Sequence, residues 1–412
     1  MPQSISTAVV VFGATGDLMA KKIVPALFQM HEQKRLPAGF RLVGFARREW
    51  TDAVFQDHVR SIVSQHAPDA PAADVDHFVS LATYVRGDFP QPDGYKTLLR
   101  DIAGQNAVLY LSVPPESFGP IFENLISFQF GKRSGVWTRL VVEKPIGRDR
   151  HSARALDELV DLGFAESQVY RVDHYLAKDA VPQIVDFRFM DGTLEGKWNK
   201  DHVSGIHIRL LETLGVEKRG AFYDRLGALR DVGQNHLLEM LAYVAMERPE
   251  TWDAAHVRAR RVELLRGLVP PAPADTFRAQ YEGYRSIPGV DPASMTETYY
   301  RVRTFLTQDR WRGVPITMES GKRMPAPRKD VTVTFKDGTQ KTFDFAYRAS
   351  GSRAQYVEEY ETLLEDCMRG DQTRFLEQDE IDALWAWTDP VVQAWEAGAV
   401  PLAAYPPDTY PS

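Results

Sequence analysis

Residues 8–18 read AVVVFGATGDL, an apolar run that leads directly into a turn with two glycines. The run predicts a buried strand, and the amphipathic segment Leu18–Glu32 that follows it predicts a helix. Glycines let the backbone turn tightly and approach a pyrophosphate, while the start of a helix offers free N–H groups and the positive end of its dipole. We therefore expect a dinucleotide to bind at this turn, which comprises Gly13, Ala14, Thr15, Gly16, Asp17 and Leu18.

Outward from this turn, short apolar runs alternate with amphipathic segments as far as about residue 170. Further strands are predicted at Arg41–Ala46, near Tyr84, at Ala107–Val113 and at Arg139–Val142, and further helices at Ala53–Gln65, Tyr95–Ile102, Ser117–Ile126 and His151–Leu162. This alternation predicts an α/β fold, a Rossmann-type doubly wound parallel sheet.

From residue 177 onwards the pattern changes, because strands follow one another and helices stand beside them. Strands are predicted at Val203–Leu211, Thr298–Leu306, Val314–Met318, Val331–Phe335 and Gln340–Phe345, and helices at Gly227–Met246, Ala254–Leu265, Arg353–Arg369 and Gln378–Ala397. The Pro-rich segments Leu268–Pro273 and Pro401–Ser412 are interpreted as a linker and a tail. We expect a dinucleotide-binding domain at 1–176 and, at 177–412, a C-terminal α+β domain with a largely antiparallel sheet for substrate binding and oligomerisation.

The composition is that of an ordinary globular protein, with 44% hydrophobic residues, 25% charged residues and a net charge of −7. No apolar run approaches the roughly 20 residues of a membrane span, and the N-terminus has no leader-peptide pattern. The single cysteine, Cys367, cannot form an internal disulfide. These features favour a cytoplasmic protein that binds neither membranes nor nucleic acid. In so acidic a chain, local clusters of basic residues are informative about an anionic ligand.

The residues after the second predicted strand bear on the choice of cofactor. The strand ends Gly44-Phe45-Ala46-Arg47-Arg48, with Glu49 only afterwards. An acid at this place accepts hydrogen bonds from the ribose of NAD, whereas an arginine favours the extra phosphate of NADP. We expect Arg47 and Arg48 to bind NADP by charge and bidentate geometry, with NAD as the alternative cofactor. The interpretation without a function is a solvated basic corner.

Two further groups of polar residues are candidates for ligand binding: one lies where ligands bind in open α/β sheets, and the other concentrates hydrogen-bond donors. Lys144 follows a predicted strand, and His174, Tyr175 and Lys178 offer several donors to one phosphate group, with His174 and Lys178 on one face if their segment is helical. Each also has a structural interpretation, as a surface lysine or as part of a structural Asp173–His174 pair. His236, in an apolar segment, is alone more often a core histidine than a site residue. Lys322 lies in Ser320-Gly321-Lys322-Arg323, which is otherwise a turn with solvated charges.

Taken together, these blocks resemble the glucose-6-phosphate dehydrogenase family. The matching blocks stand in the family's order over nearly the whole chain: the glycine turn, Glu143-Lys144-Pro145, RVDHYLAK at 171–178, ETLGV at 212–216, RDVGQNH at 230–236 and Gly321-Lys322-Arg323. The Asp-His-Tyr-Leu and Gln-Asn-His blocks are highly specific, whereas the glycine turn is not.

The resemblance implies an NADP-dependent dehydrogenase that oxidises the anomeric carbon of a sugar phosphate, and no metal is expected, since the hydride passes to the nicotinamide. It implies His236 as general base and Asp173 as its partner. The remaining residues are implied to bind ligands: His174, Tyr175 and Lys178 the substrate phosphate, Lys144, Glu212, Asp231 and Lys322 the sugar, Lys22 and Lys144 the region between sugar and cofactor, and Arg47 the NADP phosphate.

Departures from the family pattern keep two alternatives open. Ala177 replaces a usual Gly, Pro182-Gln183 replaces Gln-Asn, and Glu319 stands where Arg is common. They motivate a dehydrogenase of a different hexose phosphate in a specialised pathway. A catalytically silent regulatory homologue is the other alternative, against which the joint presence of Asp173 and His236 argues.

The largest departure lies between Phe335 and Tyr356, where the family has a much longer run of strands. Those strands belong to the sheet that usually forms the dimer interface. We therefore expect a homo-oligomer that is weakened by the shortened C-terminal sheet.

Overall fold

The computed structural model describes residues 5–190, 194–345 and 355–411 of the chain. By their contacts these residues form two compact units. The first comprises the described residues of 1–147, 151–177 and 348–378, and the second those of 148–150, 178–347 and 379–412. The first unit is therefore discontinuous in sequence, since a segment close to the C-terminus returns to it.

Seven strands form one sheet among the described residues of the first unit, in the order β14-β6-β5-β4-β1-β2-β3. They are β1 (Thr7–Phe12), β2 (Arg41–Ala46), β3 (Ala82–Arg86), β4 (Asn106–Leu111), β5 (Thr138–Val142), β6 (Val169–Val172) and β14 (Phe375–Leu376). All neighbours are parallel except β14, which is antiparallel to β6. The order 3-2-1-4-5-6 of the parallel strands is typical of a doubly wound sheet, and this part of the predicted fold class is confirmed.

Helices cover both faces of this sheet. They are α1 (Val24–Glu32), α2 (Asp52–His66), α3 (Ala72–Ser80), α4 (Pro92–Asp101), α5 (Phe118–Ser127), α6 (Arg150–Asp161) and α11 (Gln355–Arg369), with a short π-helix at Met19–Ile23. Val9 and Val11 share a buried cluster with residues of α1, α2, α3 and α11. Phe12, on the opposite face of β1, stacks on Tyr95 of α4 with ring centroids 6.0 Å apart.

The returning segment is fixed to the first unit by polar contacts as well as by packing. Arg35 pairs with Glu361 at 2.7 Å and also with Glu365, both on α11. Arg139 of β5 donates to the carbonyl oxygens of Cys367 and Met368, each at 2.7 Å. This segment thus contributes an edge strand and a helix to the first unit, although the sequence analysis assigned it to the C-terminal domain.

The second unit is built on another sheet, with the order β13-β12-β7-β11-β10-β9-β15 and β8 paired to β10 among its described residues. The strands are β7 (Val203–Leu211), β8 (Leu268–Val269), β9 (Thr276–Tyr281), β10 (Tyr299–Leu306), β11 (Ile316–Gly321), β12 (Arg328–Phe335), β13 (Gln340–Asp344) and β15 (Leu402–Tyr405). Only the pairs β7–β11 and β9–β15 are parallel, so the prediction of a largely antiparallel sheet is confirmed.

Helices accompany the second sheet. They are α7 (Ala180–Val185), α8 (Gly220–Tyr223), α9 (Leu238–Ala245), α10 (Ala254–Arg266) and α12 (Gln378–Glu396), with π-helices at Asp186–Met190 and Leu229–Leu237. Trp387 of α12 lies 3.3 Å from the Thr304 hydroxyl in β10, and Arg278 of β9 donates to the carbonyl oxygen of Trp395. No helix among the described residues is long and apolar enough to cross a bilayer.

The interpretation of two Pro-rich segments as linker and tail is wrong. Leu268–Val269 forms β8, which pairs with β10, and Leu402–Tyr405 forms β15, which pairs in parallel with β9. Strands of two to four residues are too short to show a clear alternation of apolar and polar residues, and proline is tolerated at the ends and edges of sheets. Neither strand could therefore be recognised from the sequence. The short strand β6 was missed for a related reason: Arg171 interrupts its apolar pattern, yet is buried and paired with Asp157 at 2.8 Å.

Candidate active site

The glycine turn lies at the carboxyl end of β1, in the middle of the first sheet. Gly13 has a φ of +81°, and a Cβ at this position would lie only 2.3 Å from the carbonyl oxygen of Ser112, which follows β4. The buried Ser112 hydroxyl has no hydrogen-bond partner among the described residues. The order of strands reverses between β1 and β4, which is where ligands bind in open α/β sheets. The turn is thus a cradle that a side chain would fill, and it fits the pyrophosphate of a dinucleotide.

The residues expected to select the cofactor lie at the exposed end of β2. Tyr84 donates from its hydroxyl to the carbonyl oxygens of Ala46 at 2.8 Å and Arg48 at 2.9 Å, which fixes this strand end. The guanidinium carbon of Arg48 lies 5.2 Å from the ring centroid of Trp50. Arg47 and Arg48 are both exposed, as the sequence analysis requires of groups that meet a phosphate.

The acid next to them is engaged elsewhere. Glu49 pairs with Arg86 of β3 at 2.5 Å. This pairing competes with any hydrogen bond that Glu49 would accept from a ribose hydroxyl and so favours the arginines as ligands of the cofactor.

Lys144 and Asp173 lie at the same edge of the first sheet, because they follow β5 and β6, which pair in parallel with Val142 opposite Arg171. Glu143, which lies between the end of β5 and Lys144, was not predicted to be a site residue. Its Oε1 accepts hydrogen bonds from Tyr110 at 2.5 Å and Tyr360 at 3.1 Å. Burial raises the pKa of Glu143, against the opposing effect of the two hydroxyl groups and of Lys144.

Asp173 begins a short 3₁₀-helix at His174–Ala177. Its Oδ1 accepts a hydrogen bond from the backbone N–H of Tyr175 at 2.9 Å, and the rings of His174 and Tyr175 lie 5.0 Å apart. His174 and Lys178 do not lie on one face of an α-helix, as they would if their segment were α-helical, because this turn is tighter than an α-helix and ends at Ala177. Lys178 directly follows this 3₁₀-helix and is the first residue of the segment 178–347 of the second unit. Only 4% of its surface is exposed.

Lys22 lies in the π-helix that follows the glycine turn and is half-buried. Its neighbour Lys21 is instead exposed and pairs with Asp17 at 2.6 Å. The two lysines therefore differ in environment, and Lys22 is the less exposed of the two.

In the second unit, Glu212 and Lys322 emerge side by side from the parallel strands β7 and β11, since Leu211 stands opposite Gly321. The Nζ of Lys322 lies 2.7 Å from Oε2 of Glu212 and 3.8 Å from Oδ2 of Asp231. One ammonium group thus stands between two carboxylates. A sugar ring needs such a mixture, because its hydroxyl groups both donate and accept hydrogen bonds.

Asp231 and His236 lie on the π-helix Leu229–Leu237. This helix hydrogen-bonds residue i to residue i+5, so residues five apart lie one above the other. In an α-helix the same two residues would point about 140° apart. The π-helix therefore directs Asp231 and His236 to one side, an arrangement that the predicted α-helix at Gly227–Met246 does not give.

The C-terminal strand supports this cluster, which the sequence analysis missed. The hydroxyl of Tyr405 in β15 donates to the carbonyl oxygen of Lys322 at 2.6 Å, and the N–H of Lys322 donates to the carbonyl oxygen of Thr298 at 2.9 Å. The backbone that carries the Lys322 side chain is therefore fixed from both sides. The segment interpreted as a tail helps to build the site.

Comparisons with known proteins agree with this geometry. The family model described as "Glucose-6-phosphate dehydrogenase, NAD binding domain" matches residues 10–183, and the model of the C-terminal domain matches residues 185–353 and 338–411. The glucose-6-phosphate 1-dehydrogenase of Mycolicibacterium smegmatis is 34% identical over 98% of this chain and 92% of its own. The enzyme "Glucose-6-phosphate 1-dehydrogenase 5, cytoplasmic" of Arabidopsis thaliana is 31% identical over 97% of this chain and 88% of its own.

A solved structure is similar over the whole chain. It is that of a glucose-6-phosphate dehydrogenase in complex with its substrate glucose-6-phosphate, with a TM-score of 0.90 and 27% sequence identity. The match covers 100% of this chain and 97% of the other.

Proposed function

This chain belongs to the glucose-6-phosphate dehydrogenase family, and we propose that it oxidises the anomeric carbon of glucose 6-phosphate to 6-phosphogluconolactone with NADP as cofactor. The observation that carries this proposal is the cluster of Lys322, Glu212 and Asp231 beside the π-helix that bears His236. It lies in a chain whose other unit has a cradle for a dinucleotide. The reaction belongs to carbohydrate metabolism, in the pentose phosphate pathway of glucose oxidation.

The reaction removes a proton from the anomeric hydroxyl and a hydride from the carbon that carries it. We propose His236 as the base that takes the proton at a ring nitrogen, because the usual imidazole pKa near 6.5 suits proton transfer at neutral pH. Asp173 is proposed as the carboxylate that acts with it, a role given by the family resemblance. A carboxylate in this role fixes the tautomer of the imidazole and stabilises the imidazolium. NADP, when bound, accepts the hydride on its nicotinamide.

The sugar is proposed to be held by Glu212, Asp231 and Lys322 in the second unit. The two carboxylates accept hydrogen bonds from sugar hydroxyl groups, and the ammonium group donates. Lys144 and Lys22 are proposed to bind the sugar and to border the cofactor, as the family resemblance implies. Their support is the position of Lys144 at the carboxyl edge of the sheet and the half-buried state of Lys22.

The phosphate of the substrate is proposed to bind His174, Tyr175 and Lys178. The support is their concentration within five residues of an acidic chain, together with the burial of Lys178. Charge-assisted hydrogen bonds of this kind contribute about 1.5–3 kcal/mol each. Because the phosphate lies at the far end of the sugar from the reacting carbon, this binding energy serves to orient the substrate.

The cofactor is proposed to bind the first unit. Its pyrophosphate would be held by the turn from Gly13 to Leu18, and its extra phosphate by Arg47 and Arg48. Gly13 and Gly16 are half-buried, whereas the two arginines are exposed and accessible to the charged phosphate.

The oligomeric state and the location follow as further proposals. We propose a homo-oligomer in the cytoplasm, as the name of the Arabidopsis relative suggests for the location. The C-terminal family model matches in two segments that overlap at 338–353, which favours a missing piece in this region. Of the segment between Phe335 and Tyr356, where the sequence analysis predicts missing strands, residues 346–354 lie outside the described residues.

One face of the second sheet carries polar side chains that lie close to one another within the chain. Arg209 and Asp330 lie 2.6 Å apart, and His207 and Glu319 lie 3.3 Å apart. These side chains gain little from a partner, which supports a weakened association. Light scattering over a range of concentrations tests it: a dimer that dissociates at micromolar concentration is expected, and a mass that never changes with concentration contradicts it.

The alternative of a different hexose phosphate is motivated by Ala177, Pro182 and Glu319. The carboxylate of Glu319 is engaged by other residues, since it accepts a hydrogen bond from Tyr299 at 2.8 Å and lies 3.3 Å from His207. A panel of hexose 6-phosphates tests the proposal by the absorbance of the reduced cofactor. The highest kcat/KM is expected for glucose 6-phosphate; a higher value for another sugar would favour the alternative, and no reduction with any sugar would favour the silent homologue.

A further inference from the structure

The π-helix that carries the proposed sugar and base residues begins without a side-chain cap of its own. Its first flanking residue, Ala228, has no side chain that can accept a hydrogen bond. The first N–H groups of any helix lack partners within the helix, and buried N–H groups need an acceptor. The first N–H groups of this helix therefore need hydrogen-bond acceptors from another part of the chain.

Glu297, which lies just before β10, supplies both acceptors. Its side-chain Oε1 accepts the N–H of Leu229 at 3.0 Å, and its backbone oxygen accepts the N–H of Ala228 at 3.1 Å. Glu297 is 7% exposed. One residue, 68 positions further along the chain than Leu229, thus holds two consecutive N–H groups at the start of the π-helix.

The fit between this carboxylate and the turn before the helix is close. Gly227 has a φ of +74°, and a Cβ there would lie 2.4 Å from Oε1 and 2.6 Å from Oε2 of Glu297. No other residue fits at 227 without displacing the carboxylate. The position of the Glu297 carboxylate therefore depends on the glycine at 227.

The same segment also contacts the middle of the helix. Tyr300, three residues after Glu297, packs against Gly233, where a Cβ would lie 2.5 Å from the tyrosine hydroxyl oxygen. That hydroxyl has no hydrogen-bond partner among the described residues, so its contact with the helix is steric. Glu297 thus contacts the π-helix through hydrogen bonds, and Tyr300 contacts it by packing alone.

We infer that Glu297 is a positioning residue for the reaction: its side-chain oxygen fixes the first turn of the π-helix and thereby the places of Asp231 and His236. This inference rests on the function proposed above for those two residues. Asp231 is the third residue of the helix, so it moves first if the start unwinds, and His236 follows one turn later. Burial raises the pKa of the Glu297 carboxyl group, and the hydrogen bond from the N–H of Leu229 acts in the opposite direction.

The main test compares Glu297→Ala with Glu297→Gln, because the amide oxygen of Gln accepts the N–H of Leu229 as the carboxylate does. In Glu297→Ala the kcat/KM for glucose 6-phosphate is expected to fall by about 10²-fold, as displacements near 1 Å can cause, with both kcat and KM affected. Glu297→Gln is expected to lie within about 3-fold of the unsubstituted protein. Equal impairment of both variants, or full activity of Glu297→Ala, overturns the inference.

A second readout does not depend on activity. Hydrogen exchange of the Leu229 amide is expected to be about 10-fold faster in Glu297→Ala and unchanged in Glu297→Gln, with the amide of Ile208 in β7 as reference. Unchanged exchange at Leu229 in Glu297→Ala overturns the inference. If the unsubstituted protein does not oxidise glucose 6-phosphate, the proposed function fails while the exchange experiment still decides whether Glu297 holds the helix.

Two controls separate positioning from general damage. Asp330→Asn also removes a buried carboxylate, one that pairs with Arg209 on a different strand, and is expected to lower Tm but to leave kcat/KM within about 3-fold. NADP affinity is expected to be unchanged in all variants, because the residues proposed to bind it belong to the first unit. If Glu297→Ala does not fold, Glu297→Asp replaces it: a loss of about 10-fold in kcat/KM is expected, and an unimpaired Asp variant overturns the inference.

Discussion

The Nζ of Lys322 lies 2.7 Å from the Oε2 of Glu212, and the two residues follow parallel neighbouring strands in a sheet that is otherwise largely antiparallel. The same ammonium group lies 3.8 Å from Asp231 on the π-helix. Three side chains from three separate parts of the sequence thus share one point. The two carboxylates stay close because the lysine compensates their charges.

Replacing Lys322 by Met should therefore weaken substrate binding strongly. The variant loses a charged donor and leaves two carboxylates without the cation between them, so we expect KM for glucose 6-phosphate to rise by about 10- to 100-fold. Steady-state kinetics at fixed NADP measure it. Lys200→Met, which breaks the Lys200–Asp309 pair, is the control and should leave KM unchanged. An unchanged KM in Lys322→Met would show that this lysine does not bind the sugar.

Replacing His236 by Asn should preserve the fold and the binding of substrate but remove the base. We expect kcat to fall by about 10²–10⁴-fold, the usual loss when a general base is removed. Substrate affinity, measured by calorimetry without NADP so that no reaction occurs, should change little. Turnover close to normal at neutral pH would rule out this role for His236.

Replacing Arg47 and Arg48 together by Ala should remove most of the preference for NADP over NAD. Each charge-assisted hydrogen bond contributes about 1.5–3 kcal/mol, so the ratio of the two kcat/KM values should fall by at least about 10-fold. Arg60→Ala, which breaks an exposed pair with Asp76, is the control. A protein that prefers NAD before any substitution contradicts the assignment, and Glu49 is then the residue to test.

Much of the first unit could be predicted because its signals are local. The apolar run before Gly13 has the length of a strand, the glycine fits a turn that only it can adopt, and Arg47 stands at the end of the next strand. Strands and helices that alternate at short intervals leave few topologies to choose between. Local pattern was therefore sufficient for the parallel sheet apart from its short strand β6.

The remainder depends on contacts between residues far apart in the chain, which local pattern does not encode. Tyr360 lies 217 residues from the Glu143 that it bonds, and Tyr405 lies 83 residues from Lys322. The π-helix at Leu229–Leu237 has the same apolar rhythm as an α-helix over so short a length. This helix contacts Glu297 and Tyr300, which lie more than 60 residues further along the chain, so the π-helical placement of Asp231 and His236 needed the structure.

A histidine pair on the surface of the first unit should make its stability sensitive to acid. Nε2 of His31 on α1 lies 3.4 Å from Nδ1 of His77 on α3. Burial, and secondarily the charge of His77, hold the pKa of His31 below its usual 6.5, against the opposing effect of Asp74. The folded chain therefore favours neutral His31, and this contribution to stability is complete above pH 6.5 and is lost as the pH falls below it.

Thermal unfolding between pH 7 and 5 tests this effect. In His31→Gln, Tm should fall less with acid than in the unsubstituted protein, whereas His66→Gln, at the exposed end of α2, should follow it closely. The same acid dependence of Tm in His31→Gln and in the unsubstituted protein would show that the pair does not contribute.

The most direct test of the proposed function is the reduction of NADP, followed by absorbance, with glucose 6-phosphate and with free glucose at matched concentrations. If His174, Tyr175 and Lys178 bind the phosphate, its loss should impair both binding and turnover, because remote binding orients the reacting carbon. We expect kcat/KM for glucose 6-phosphate to exceed that for glucose by at least about 10²-fold, as one or two lost charge-assisted bonds imply. Equal values for the two sugars, or no reduction of NADP by glucose 6-phosphate, would contradict the account.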